Sequence, residues 1–178
     1  MGKSNTELLQ NSTNYWNFYE HSLELKEAAF EIWPLFEKII KEGKVETRYL
    51  ENGLFHVFLN TIAVSIENLI KGRIMWKYQE EGQKFDNLCE IIKKWKGSHK
   101  ILKLAEENSI SFTEIEKELI KELEPYMVWA GRFRLPIHKD EILNELKKSE
   151  HGRFAESDFQ IISKLFKRME IEMGIMIK

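Results

Sequence analysis

Apolar residues recur along this chain with the period of an α-helix, and the first such pattern covers residues 14–41. Steps of three and four residues place these apolar side chains on one face of a helix that is expected to end before Gly43. Pro34 falls inside the pattern. Because proline lacks a backbone donor and crowds the carbonyl of Phe30, a kink or a break is predicted there.

The most apolar stretch, over residues 54–78, predicts a second and central helix after a polar connection over 43–53. Glu67 and Lys71 lie four residues apart on this helix with the acid first, which favours an ion pair. Polar groups on so apolar a helix need partners. Two interpretations stay open: an internal ion pair that holds the helix in register, or a pair that orients a site on another helix.

Further amphipathic segments are predicted over residues 86–97, 99–107, 111–125, 139–148 and 157–176. Thr113 and Glu116 have the spacing of a capping box, and Ile115 is expected on the buried face of that helix. The chain shows no strand-like alternation, hairpin signal or internal repeat. These patterns predict an all-α fold, a single-domain helical bundle of about five to seven helices over residues 13–178, after a disordered or frayed segment over 1–12.

Composition narrows the classes of function. A length of 178 residues suits one domain, and a hydrophobic fraction of 43% is enough for a core. The formal net charge of -2 excludes a globally basic surface, so any nucleic-acid site must be a local patch.

The cysteine content and the apolar runs point to a cytoplasmic protein. The single cysteine, Cys89, excludes an internal disulfide and fits a reducing compartment. Its apolar helical surroundings predict a buried packing thiol rather than a nucleophile. The polar N-terminus carries no secretory signal, and no uninterrupted apolar run approaches a membrane span, so no membrane association is expected.

Basic residues concentrate where the third predicted helix ends and the fourth begins, around Trp95 and His99: Lys93, Lys94, Lys96, Lys100 and Lys103. A charge run of this kind forms either a solvated face or a phosphate-binding patch.

Residues 129–138 are the segment densest in groups that can hold or cleave a phosphate. Phosphate-binding glycine loops, paired metal-ligand spacings and nucleophile elbows are absent from the sequence, so no metal or cofactor is expected. Arg132 can grip a phosphate and His138 can act as general acid or base, which suffices for a metal-independent ribonuclease. The alternative is that Arg132 pairs with a carboxylate such as Glu67 and that His138 is an exposed loop residue.

Three sequence pieces resemble the HEPN superfamily (higher eukaryotes and prokaryotes nucleotide-binding). Residues 66–72 resemble its Glu-Leu-x-x-Lys pattern, and residues 97–104 resemble its Gly-His-x-Leu-x-x-Leu helix start with Ser98 inserted. Residues 129–133 resemble a Trp-Ala-Gly-Arg-Tyr element of uncharacterised bacterial relatives. The order and spacing of the three pieces, which lie between residues 55 and 138, carry the resemblance.

The resemblance implies an up-and-down helical bundle, homodimerisation and metal-independent ribonuclease activity. Arg132 and His138 fit the Arg-x(4–6)-His motif of active members. The chain departs from the family in having Phe133 where a polar residue usually follows the arginine, and Pro136 within the motif.

We therefore expect a dimeric HEPN-like protein that binds RNA or nucleotide and cleaves RNA, in the manner of bacterial toxin or phage-defence proteins, with an antitoxin or other protein as a further partner. In this interpretation Arg132 holds phosphate, His138 is the acid or base, and Glu67 and Lys71 orient the arginine. The side chains expected to line the approach are Arg134, Lys100, His99 and Trp129. The alternative is a non-catalytic helical dimerisation or partner-binding domain, in which the same residues form a structural ion-pair network.

Overall fold

Six α-helices and no strand make up the part of the chain that the computed structural model describes, which confirms the predicted all-α bundle. The described residues are 14–43, 48–83, 85, 88–95, 99–127, 154 and 156–175. The helices are α1 (Tyr15–Glu42), α2 (Arg48–Glu80), α3 (Leu88–Lys94), α4 (Ile101–Glu107), α5 (Glu114–Pro125) and α6 (Glu156–Glu172). The predicted frayed segment over 1–12 and the predicted helix over 139–148 lie outside these residues.

Helix α1 begins and ends as its pattern predicts. Asn14 caps its N-terminus, its Oδ1 accepting from the Trp16 amide at 3.0 Å, and Gly43 closes it in the left-handed conformation with φ 59°. The helix is continuous through Pro34, so the predicted break is wrong. Aromatic contacts hold the turns on both sides of the proline, because Trp33 and Phe36 pack against aromatic rings of α2.

Helix α2 is the centre of the bundle and begins at Arg48, six residues earlier than the sequence predicts. Gly53 therefore lies within the helix and not in a connection. The helix packs antiparallel against α1, as the ring pair Phe36–Phe55 at one end and the contact of Gly72 with Phe18 at the other show. A Cβ added at Gly72 would lie 3.3 Å from the Phe18 Cβ, so the two helices approach closely there.

The apolar stretch Leu50–Glu80 of α2 is the one span among the described helices with the length and composition to cross a membrane, at a mean hydropathy of 1.4. Half of its most apolar window is buried by the rest of the bundle, as in a core helix.

Two sequence predictions of burial are wrong, and both fall on short helices. Cys89 is exposed, because α3 turns Ile91 and Trp95 toward the core and Cys89 lies on the opposite side of the helix from Ile91. Ile115 is 60% exposed, because α5 buries the neighbouring face that carries Glu116 and Leu119.

Charged contacts attach α6 to the bundle. Glu116 completes the predicted capping box with Thr113 and also accepts from Arg168 of α6, at 2.9 Å and 3.3 Å. Arg168 donates in turn to Glu172 at 2.8 Å, and Arg73 of α2 donates to the other oxygen of Glu172 at 3.2 Å. Apolar packing accompanies these contacts, since the apolar stripe of this predicted amphipathic segment is buried at Ile162, Phe166, Met169 and Met173.

Candidate functional site

Glu67, near the middle of α2, joins a lysine and a histidine. Its side chain is only 7% exposed, and its Oε1 accepts from Lys71 Nζ one helical turn later. The same oxygen lies 3.0 Å from Nδ1 of His99, whose side chain is 42% exposed. A buried carboxylate therefore connects a largely buried ammonium to an imidazole that solvent can reach.

Local structure explains how these three side chains meet. Glu67 and Lys71 share one face of α2 because residues four apart are neighbours on a helix. His99 stands two residues before the start of α4, and Ile101 and Leu104 bury the face of α4 that turns to the core. This packing brings the segment before α4 against the middle of α2.

Trp95, at the end of α3, covers the buried side of the cluster. The Lys71 ammonium lies 5.2 Å from its ring centroid, within the range of a cation–π contact, and Phe18 meets the ring edge-on at 5.6 Å. The Trp95 indole nitrogen is buried and has no hydrogen-bond partner in the part of the chain that the structure describes. Trp95 thus separates the ion pair from α1 and leaves His99 as its exposed side.

Glu67 determines how His99 can act. An ionised carboxylate only accepts hydrogen bonds, so the contact requires a proton on His99 Nδ1. The neutral imidazole then carries its free lone pair on Nε2, for which the described residues offer no hydrogen-bond partner. The arrangement suits an imidazole that receives a proton from, or donates one to, a group in solvent.

Several lysines flank this imidazole along the chain. Lys93, Lys94, Lys100 and Lys103 are exposed. Lys94 lies 4.2 Å from the ring centroid of Tyr78, and Lys103 lies 3.9 Å from a carboxylate oxygen of Glu107. The basic residues of this segment that the structure describes are therefore exposed, and local contacts hold two of them.

The structure brings together three of the predicted site residues, Glu67, Lys71 and His99, with Lys100 next in the chain. The remaining ones, Trp129, Arg132, Arg134 and His138, lie outside the described residues. The Glu67–His99 contact was not predicted from the sequence. The available signal was that a buried glutamate on an apolar helix needs more than one partner.

The end of α5 lies beside the same helix. The Asn60 side-chain amide donates to the Tyr126 carbonyl at 2.9 Å, and the described chain continues only to Met127.

Among the described residues, no three His, Cys, Asp or Glu side chains gather as metal ligands. Comparison with known proteins identified no matching family model, no matching curated protein and no matching solved structure.

Proposed function

We propose that this protein is a HEPN-like RNA- or nucleotide-binding protein that cleaves RNA without a metal, acting in the cytoplasm as a homodimer of the toxin or phage-defence type. The observation that carries the proposal is the partly exposed His99 imidazole, held by the buried Glu67 carboxylate and flanked along the chain by exposed lysines. The imidazole can exchange a proton with an RNA strand, and the ammonium groups of the lysines can bind its phosphates.

Phosphate recognition is assigned to the lysines around His99. Exposed ammonium groups attract a phosphate backbone without sequence preference, and each neutralised phosphate makes binding more sensitive to salt. Lys93, Lys100 and Lys103 flank the imidazole along the chain and are exposed. A strand bound across them would pass close to His99.

The sequence motif supplies the remaining roles. Arg132 holds the phosphate and stabilises the charge that builds on it, while His138 acts as acid or base, as the resemblance implies. Arg134 and Trp129 contact the strand.

One observation favours the alternative of a non-catalytic partner-binding domain. Glu67 and Lys71 pair within a single helix and lie under Trp95, an arrangement that stabilises the bundle whether or not a ligand binds. In that case His99 only completes the hydrogen bonding of Glu67.

Cleavage of a mixed RNA pool in the presence of EDTA tests the proposal. The wild type is compared with Arg132→Ala and His138→Ala, and with the matched controls Lys164→Ala and His21→Ala at exposed positions of α6 and α1. We expect metal-independent cleavage that both motif variants lose and both controls keep. A folded wild-type protein that neither cleaves nor binds RNA would refute the proposal and favour the partner-binding domain.

Sedimentation of the wild type at several concentrations tests the homodimer separately. A monomer at every concentration would remove dimerisation from the proposal.

A further inference from the structure

We infer that His99 is itself a catalytic residue, the base that accepts the proton of the RNA 2′-hydroxyl, and that Glu67 is its positioning residue. This inference rests on the proposed function. It assigns to His99 a role in the chemical step, in addition to the ligand contact expected from the sequence.

The difference in exposure between the two partners supports this assignment. Glu67 is 7% exposed and His99 is 42% exposed, so the carboxylate fixes the imidazole from inside while the ring stays accessible. The 3.0 Å contact to Nδ1 leaves Nε2 as the nitrogen that can accept a proton. Catalytic histidines are oriented in this way by a carboxylate that binds the other ring nitrogen.

The other groups around Glu67 do not compete for this role. Lys71 contacts the same carboxylate oxygen and lies over Trp95, so its ammonium is turned toward the interior. Trp95 itself carries no titratable group. On the α4 side the nearest cations in the chain are Lys100 and Lys103, whose exposed side chains suit phosphate contact better than proton removal.

The step assigned to His99 is a transesterification within the RNA strand. The 2′ O–H bond breaks as its proton moves to His99 Nε2, and the 2′ oxygen forms a new bond to the adjacent phosphorus. The bond from phosphorus to the 5′ oxygen breaks, and that oxygen takes a proton from the acid of the reaction, the role that the proposed function leaves to His138. Exchange with solvent removes the proton from His99 and restores that of the acid, and the products are a 2′,3′-cyclic phosphate and a 5′-hydroxyl end.

Two RNA probes separate binding from cleavage. A fluorescent RNA oligonucleotide is used to measure cleavage in EDTA, and the same sequence with 2′-O-methyl groups, which lacks the proton to be removed, is used to measure binding by anisotropy. The variants are His99→Gln and Glu67→Gln. His21→Gln is the matched control, because His21 also has a glutamate partner, at 3.4 Å, but on an exposed face of α1.

We expect His99→Gln to slow cleavage by about 100-fold or more, the usual contribution of a positioned base, while affinity for the 2′-O-methyl strand changes by less than about threefold. Glu67→Gln should slow cleavage less, and through kcat rather than KM, because glutamine can still contact the imidazole but holds it less firmly. A merely structural role of Glu67 would lower the folded fraction and leave kcat per folded molecule unchanged. His21→Gln should match the wild type.

The outcomes separate the inference from the proposed function. A wild type that binds neither probe contradicts the proposed function. If the wild type cleaves RNA and folded His99→Gln cleaves within about threefold of it, the inference is wrong while the ribonuclease stands. Binding without any cleavage by the wild type overturns the inference and leaves an RNA-binding protein.

Discussion

Replacing Lys71 by methionine removes the ammonium from the centre of the bundle and keeps the length of the side chain. In the wild type this ammonium pairs with Glu67 and lies 5.2 Å from the Trp95 ring centroid. After the substitution, Glu67 keeps His99 as its partner among the described residues. The free energy of unfolding should fall, because a carboxylate that is 7% exposed loses its cationic partner.

The size of the loss follows from the burial of the pair. Breaking a fully buried ion pair costs about 3–5 kcal/mol, and a hydrogen bond to a charged group contributes about 1.5–3 kcal/mol. Lys71 is 15% exposed and Glu67 retains a second partner, so the loss should be closer to that of one hydrogen bond to a charged group, about 2 kcal/mol. The lost cation–π contact is partly replaced by contact between the methionine sulfur and Trp95. For a chain of this size the melting temperature should fall by about 4–8 °C.

The chain offers a control of the same spacing. Glu37 and Lys41 also form an ion pair four residues apart, at 3.7 Å, but on the exposed surface of α1. Lys41→Met should change the free energy of unfolding by less than about 0.5 kcal/mol, as exposed helix pairs do. Urea denaturation of both variants measures the two values. If Lys71→Met cost no more than Lys41→Met, Glu67 would have to be solvated, and the cluster as described would be wrong.

Three further predictions concern the fold. Gly43→Ala should destabilise the protein by about 1 kcal/mol in urea denaturation, because position 43 has φ 59° and alanine is strained there; no loss would show that the end of α1 adjusts. Tyr19→Phe should cost about 1–2 kcal/mol at neutral pH, because the buried Glu170 carboxylate loses a donor at 2.8 Å. Burial raises the pKa of Tyr19, so this stabilisation is present below about pH 10 and is lost at higher pH; a wild-type advantage that persisted in strong alkali would contradict this. Phe58→Ala should cost about 3–5 kcal/mol by thermal melting, because Phe58 is fully buried among aromatic rings; a loss below about 1 kcal/mol would contradict that packing.

Periodicity predicted the long helices better than the short ones. The bounds of α1 and the buried stripe of α6 follow from repeated three- and four-residue steps, which many apolar residues support. On α3 and α5 the pattern is short, so neighbouring faces are hard to distinguish, and Cys89 and Ile115 were assigned to the wrong face. The start of α2 was missed because Gly53 resembles a connection, whereas the packing of Phe55 on Phe36 favours helix there.

Only the contact between residues close in sequence could be predicted for the candidate site. The Glu67–Lys71 ion pair follows from a spacing of four residues on one helix. The contact between Glu67 and His99 joins residues that are 32 positions apart, and it depends on how α4 packs against α2. No periodic pattern carries that information.

The two interpretations of the Glu67 cluster predict different relations between stability and activity. If the cluster is only structural, Glu67→Gln and Lys71→Met should destabilise the bundle, and any effect on RNA should follow the folded fraction of each variant. If His99 acts on RNA, His99→Gln should separate the two properties, because the glutamine amide can still donate to Glu67 and so preserve stability, whereas loss of the imidazole slows the chemical step. A His99→Gln protein that keeps the wild-type free energy of unfolding and loses cleavage therefore cannot be explained by folding. A role of His99 toward the RNA accounts for that combination, and unchanged affinity for the 2′-O-methyl strand assigns the role to the reaction.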